Sequence, residues 1–197
     1  FEEDLRGRFE SVLRSGSGLV LVAGASGAGK TTTLYSSLEY VAGQRRSAHL
    51  SIEDPIEQRL RVAGVPVDQM ELCPERGLTG EAALVAALRQ DVDVVAVGEV
   101  RTAAEAELAV KAAHTGRLVL AGIHAGSAEE ALQRLGDLGV ESAMVRKTVL
   151  AILHQRLRTV PCPSHVPDCR ECGGLGRRRA VEAELVLLAG DARREAA

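Results

Sequence analysis

Gly24, Gly27 and Gly29 stand just ahead of Lys30 and Thr31 in the run Gly24-Ala25-Ser26-Gly27-Ala28-Gly29-Lys30-Thr31. This is the GxxxxGK[ST] pattern of a phosphate-binding loop. Glycines let the backbone wrap a phosphate with successive N–H groups pointing inward, and a helix starting there adds the positive end of its dipole. Lys30 can then reach the β- and γ-phosphates, and the Thr31 hydroxyl can ligate Mg²⁺. Residues 24 to 31, with Thr32 behind them, are the expected cradle for ATP and Mg²⁺.

Such a cradle needs a strand in front and a helix behind. Leu19-Val20-Leu21-Val22 is a buried-strand run, and Thr31 to Val41 reads as a helix. A second strand at 48–52 ends in Glu53-Asp54-Pro55, where the proline stops it. Short β-prone pieces at 61–63 and 65–67, around Gly64, predict a hairpin. Thr79 can cap a helix running to about Arg89. Residues 93–99 form a buried strand with an acid at each end. Thr102 and Glu105 form a capping box for a helix to His114 that Gly116 ends, and a strand follows from Leu118 to Ile123, finishing at His124. Ser127 and Glu130 form a second box for a helix to Leu138, closed by Gly139. A helix over 141–153, a strand over 155–160, a Cys-rich turn and a last strand over 183–188 complete the chain, with a polar tail over 191–197. Strands alternating with capped helices predict an α/β fold, a mainly parallel sheet covered on both faces.

In such sheets ligands bind outside the carboxyl ends of the strands. Four predicted strands end there in the Gly24–Lys30 loop, Glu53-Asp54, Glu99 and His124. Asp93 lies at the wrong end, roughly 20 Å away at ~3.3 Å per strand residue. Glu99 is therefore expected to orient the attacking water or a Mg²⁺-bound water; the plainer alternative is an ion pair with Arg101. Glu53 and Asp54 read either as part of the site or as a turn-forming pair before Pro55. His124 reads either as a contact to the γ-phosphate or as a satisfied strand-end histidine.

Composition bounds the rest. A chain of 197 residues is most simply one domain, and with 2% aromatics and no Trp its core must be Val, Leu, Ile and Ala. A net charge of −3 carries no basic footprint for nucleic acid. No run approaches 18 apolar residues and no signal peptide opens the chain, so a cytosolic protein without membrane insertion is expected. Four cysteines in that setting argue for thiols or metal ligands over disulfides. Cys73 reads as a small apolar filler.

In this order GLVLVAGASGAGKTTTLYSSL, SIEDPIE, GLT, LRQDVDVVAVGEVR, AAHTGRLVLAGIHAGSAEEALQRLGDLGVE and LHQRL resemble the traffic ATPases of type II secretion and type IV pilus assembly. The resemblance runs from about Gly18 to Arg179 and implies a RecA-like ATPase that works as a homo-hexamer. It also implies partners on an inner-membrane secretion or pilus platform, hence a location peripheral to that membrane. It marks Glu53-Asp54 as an aspartate box, Gly98-Glu99 as the end of an atypical Walker B strand, and His124 as the centre of a histidine box. The chain departs from the family pattern at Arg117, where a histidine is usual, and at Ala83-Leu84-Val85, where an arginine is lost.

Cys162-Pro-Ser-His165 and Cys169-Arg-Glu-Cys172 form two hooks that suit tetrahedral Zn²⁺. Only three residues separate them, fewer than the family's few dozen, and a shrunken remnant without metal is the other reading. The expected organisation is a connection from an upstream domain (1–17), an ATPase core (18–160), a small Cys-rich appendage with the final strand (161–190) and a tail (191–197). Two functions follow. One is a motor domain that hydrolyses ATP; the other is a nucleotide-binding assembly module with little turnover. A small-molecule kinase is disfavoured because nothing between Gly116 and Leu153 reads as an Arg-rich lid.

Overall fold

The central strand owes its place to a run of residues with no polar side chain. In the computed structural model, which describes residues 1–188 apart from 63, 165, 167, 171 and 174, β1 (Gly18–Ala23) is buried along its whole length. It lies between β5 (Leu118–Ile123) and β6 (Val149–Pro161), parallel to both. Beyond β5 come β4 (Val94–Val97), β2 (His49–Glu53) and β3 (Val67–Glu71), all parallel. Beyond β6 comes β7 (Arg177–Leu187), which is antiparallel. The order β3-β2-β4-β5-β1-β6-β7 is thus the expected parallel sheet with one antiparallel edge.

One face of the sheet is covered by α1 (Glu3–Leu13) and α2 (Lys30–Gln44), which bury Phe9, Val12, Leu34 and Leu38. The other carries α3 (Gly80–Arg89), α4 (Ala103–His114), α5 (Ala128–Asp137) and α6 (Ser142–Thr148). The core is Leu, Val, Ile and Ala, as the scarcity of aromatics requires. Residues 1–17, expected as a connection, bring α1 down onto α2, β6 and β7.

The caps largely follow the side-chain chemistry. The Thr79 hydroxyl accepts from Ala82 N, and Thr102 with Glu105 closes a complete box. The second box is half made: Ser127 accepts from Glu130 N, but the Glu130 carboxylate turns back to accept from Gly126 N at 2.7 Å.

Three expectations need correction. The predicted helix over 141–153 stops at Thr148, because Val149 to Leu153 enters the sheet beside β1, where an apolar run is buried on both faces. The predicted hairpin around Gly64 is only an isolated Val62–Val65 bridge, and residues 67–71 form the parallel edge strand β3. The last strand starts at Arg177 rather than 183, so β6 and β7 make a long hairpin that passes well beyond the end of β1.

Candidate functional site

β1 delivers the chain to the loop at 24–29, and α2 begins at Lys30. Gly27 (φ 75°) and Gly29 (φ 87°) take the left-handed conformation that only glycine adopts without strain. Gly24 is needed for a different reason: a Cβ there would stand 2.6 Å from the Gln155 carbonyl oxygen. Lys30 Nζ donates to the carbonyls of Gly24 (2.8 Å) and Ala25 (3.0 Å). Burial lowers the Lys30 pKa, and the charge of Glu99 pulls it back up. Thr31 Oγ1 donates to Glu57 Oε1 at 3.1 Å.

Beneath the loop sits Gln155, only 1% exposed. Its Nε2 donates to the Ala28 carbonyl at 2.7 Å, and its Oε1 accepts from Thr33 Oγ1 at 2.7 Å. One amide thus ties the floor of the loop to the first turn of α2. Sequence reasoning placed Gln155 at the start of a strand with no role. The available signal was a polar amide directly after the apolar run Val149 to Leu153.

The acids occupy the β2–β4 side. Glu53, 4% exposed, accepts from the Tyr35 hydroxyl on Oε2 and from Gln69 Nε2 (2.9 Å) on Oε1. The Tyr35 oxygen in turn accepts from the backbone N–H groups of Glu57 and Gln58. Burial, then the bond to Glu53, pushes the Tyr35 pKa up to about 12. Both Glu53 oxygens are thus engaged in holding the segment that follows the cis Asp54–Pro55 peptide. Arg101 bridges the other two acids: its Nε donates to Glu99 Oε2 (2.8 Å) and its Nη1 to Asp54 Oδ2 (3.0 Å). The ion pair weighed against a role for Glu99 is therefore present, and it also draws in Asp54. The Glu105 carboxylate accepts from the N–H groups of Arg101 and Thr102, fixing this corner to α4.

These groups converge. Ser26, Gly27, Gly29, Lys30, Thr31 and Thr32 line one cavity of about 580 Å³ with Glu53, Asp54, Glu99 and His124. Gly24 and Ala28 instead pack against Gln155 behind the loop, and Ala25 lies outside the lining. Asp93 is at the opposite edge, where its Oδ2 accepts from Ala48 N. Glu57, Arg101, Glu105, Leu157 and Arg179 also line the cavity, and sequence reasoning gave them no place there. The sheet lets the chain past β4 approach β5 closely at Gly122, where a Cβ would meet the Gly98 carbonyl oxygen at 2.1 Å. Arg117 lies far from this cavity, at the amino end of β5, where it donates to the Val92 and Leu88 carbonyls.

At the far end of the β6–β7 hairpin the Sγ atoms of Cys162, Cys169 and Cys172 lie buried within 4.8 Å of one another. A tetrahedral Zn²⁺ with Zn–S near 2.3 Å holds its sulfurs roughly 3.8 Å apart, and Cys162 and Cys169 are separated by 3.6 Å. Three thiolates in this arrangement fit that ion. His165, the fourth member of the expected set, lies outside the described residues, as does the tail from 189. Cys73 is half-buried and, among the described residues, in no disulfide.

A family profile described as "Type II/IV secretion system protein" matches residues 1–193. The chain is 42% identical to "Type II secretion system protein E" of Pseudomonas aeruginosa over 92% of its own length and 34% of that protein's. It is 40% identical to "Competence protein ComGA" of Halalkalibacterium halodurans, covering 94% of this chain and 53% of that one. Among solved structures, the pilus retraction motor PilT with bound ADP superposes with a TM-score of 0.77 at 30% identity, over 91% of this chain and 50% of that chain. The chain spans about a third to a half of the length of these relatives.

Proposed function

Because this chain belongs to the type II/IV secretion system protein family, we propose that it is an ATP-hydrolysing motor domain for type II secretion or type IV pilus assembly. The observation that carries the reading is that four strands of one parallel sheet bring the loop with Lys30, the acids Glu53, Asp54 and Glu99, and His124 to a single cavity. That is the arrangement phosphoryl transfer needs, since positioning and charge neutralisation do most of the catalytic work.

In this reading the N–H groups of the loop and the start of α2 hold the triphosphate. Lys30 exchanges its two carbonyl acceptors for β- and γ-phosphate oxygens. Thr31 Oγ1 and, through water, Glu99 would hold Mg²⁺, which would supply further neutralisation of those oxygens. Glu99 orients the attacking water, and Arg101 keeps its carboxylate and that of Asp54 aligned. His124 faces the γ-phosphate. Glu53 acts on the segment after Pro55 rather than on the nucleotide. The test is phosphate release by the wild type, Lys30→Ala and Glu99→Gln. A motor loses turnover in both variants, and equal background rates in all three rule it out.

A nucleotide-binding module with little turnover is the second reading, and the lost arginine at Ala83-Leu84-Val85 favours it. The departure at Arg117 does not, because that side chain braces the opposite edge of the sheet. ATP that raises the melting temperature of the wild type but not of Lys30→Ala, without phosphate release, identifies this second reading.

Family membership further supports a homo-hexamer docked on inner-membrane platform proteins, peripheral to the membrane. Among the described residues no helix is long and apolar enough to cross a membrane. The three clustered thiols would hold Zn²⁺, which supplies a structural cross-link at the hairpin's end. Zinc bound by the wild type and lost in Cys169→Ser and Cys172→Ser supports this, whereas a metal-free wild type ends it.

A further inference from the structure

Residues 54–61 follow β2 without forming helix or strand, so their backbone groups need partners from elsewhere. Side chains supply them. Ile56 N donates to Glu71 Oε2 at 2.9 Å and Leu60 N to Gln69 Oε1 at 2.8 Å, while the Gln58 carbonyl accepts from Gln69 Nε2 at 2.8 Å. Those three anchors come from β3. The N–H groups of Glu57 (3.2 Å) and Gln58 (3.3 Å) both donate instead to the Tyr35 oxygen, on α2.

Tyr35 is buried and lies outside the cavity lining. Its hydroxyl is used to capacity: the proton goes to Glu53 Oε2, and two N–H groups take up the lone pairs. Thr31 and Tyr35 stand four residues apart in α2, hence on one face of it. Thr31 Oγ1 donates to the Glu57 carboxylate at 3.1 Å, and Tyr35 holds the Glu57 N–H. The helix that begins at Lys30 thus grips both the backbone and the side chain of Glu57, which lines the cavity beside Lys30 and Asp54. A phenylalanine at 35 would keep the ring and lose all three hydrogen bonds.

We propose that Tyr35 is a positioning residue for phosphoryl transfer: from behind the cavity, without touching the nucleotide, it fixes the Glu57 carboxylate beside Thr31. The proposal rests on the reading of the cavity as a site of ATP hydrolysis. A group displaced by about 1 Å from its working place can cost about 10² in rate. The loop N–H groups and Lys30 do not depend on the segment after Pro55, so they bind the phosphates as before. Loss of the hydroxyl therefore acts on turnover and spares affinity.

The test measures ATP turnover, ADP affinity by calorimetry and melting temperature on the full chain. Tyr35→Phe is expected to lower kcat about fivefold to fiftyfold, with KM and ADP affinity within about twofold of the wild type. Added to Glu57→Gln, it lowers kcat no further than Glu57→Gln does alone, because the tyrosine acts through that carboxylate. Tyr40→Phe, which removes a hydroxyl from the same helix that accepts from Arg14, changes none of these. Tyr35→Phe also leaves a buried Glu53 oxygen without its donor and lowers the melting temperature. Combining it with Glu53→Gln removes the buried charge, keeps the measurement possible should the single variant fail to fold, and restores stability while kcat stays low. Recovery of kcat along with stability, an additive loss with Glu57→Gln, a loss carried by KM alone, or unchanged kcat in Tyr35→Phe would overturn the proposal. Lys30→Ala separates the two claims. Wild-type turnover no faster than that of Lys30→Ala ends the ATP reading and this proposal with it, whereas turnover above that background that Tyr35→Phe does not move ends the proposal alone.

Discussion

The two flanks of β1 bind their charges in opposite ways. On the β5–β4–β2 side the charges satisfy one another: Arg101 joins Glu99 to Asp54, and Tyr35 and Gln69 saturate Glu53. On the β6–β7 side the supporting group is a neutral amide, Gln155, and the arginine at the cavity is not neutralised by a carboxylate among the described residues. The difference separates what a site must do from what holds it. The groups proposed to meet the reacting phosphate stay near the surface, held by partners they can exchange. Groups that shape the loop are buried and fully hydrogen-bonded, because a buried polar atom without a partner is costly.

The largest expected effect falls on the acidic flank alone. Glu99→Gln keeps the shape and removes the charge that, on the proposed function, orients water, so turnover should fall by about 10² to 10³ while ADP affinity holds. Equal losses in affinity and turnover would mean that Glu99 holds the site together instead of serving the reaction. Gln155→Leu should do the reverse. It leaves the Ala28 carbonyl and the Thr33 hydroxyl unpaired in the interior, at a cost of about 2 to 4 kcal/mol in unfolding free energy. ADP affinity should fall with it, as the loop loses its floor. Unchanged stability would show that water replaces the amide and that this flank is less rigid than its burial implies.

This contrast explains what was legible in the sequence. The loop, the strand ends and the caps at Thr79 and Thr102 rest on local chemistry, and each could be placed from neighbouring residues. The acid rim followed from one rule about parallel sheets. The hairpin did not, because a five-residue apolar run such as Val149 to Leu153 has no period that tells a buried strand from a helix. Arg177 to Arg179 gives no strand signal at all, and only pairing with β6 makes it one. With the hairpin's length hidden, the positions of Leu157 and Arg179 beside the loop were hidden too. Likewise, Val67 to Glu71 is a half-polar edge strand held by β2, and the β-prone piece at 65–67 reads from sequence only as one arm of a hairpin around Gly64. From sequence Arg101 is a partner for Glu99 alone, since its reach to Asp54 depends on β2 lying next to β4.

Tyr35 offers a smaller test of the acidic flank. Its hydroxyl is buried against Glu53, and its pKa is raised from 10.0 to about 12. A raised pKa in the folded state means the stabilisation is fully present below the unfolded value, near pH 10, and is lost as the pH climbs toward 12. At about 1.4 kcal/mol per pH unit the loss is about 2 to 3 kcal/mol. The stability of the wild type relative to Tyr35→Phe should therefore shrink between pH 10 and 12 in urea titrations. A gap that stays constant over that range would show that Tyr35 is not held neutral by its surroundings.

Glu182 should give the smallest effect, and its value lies in that smallness. It accepts from Arg156 at 2.8 Å and pairs with Arg158 as well, yet all three side chains are about half exposed. These arginines lower the Glu182 pKa, so its stabilisation is present above the ordinary carboxylate range and is lost as the pH falls through the lowered value. Water and salt screen such contacts strongly. Glu182→Gln should thus leave the melting temperature within about 2 °C of the wild type at neutral pH, with the residual difference vanishing in high salt. Because Arg156 and Arg158 face away from the cavity, the substitution should also leave ADP binding untouched. A clear loss of ADP affinity in Glu182→Gln would mean the hairpin's two faces are mechanically coupled, and the division between its solvent side and its cavity side would have to be abandoned.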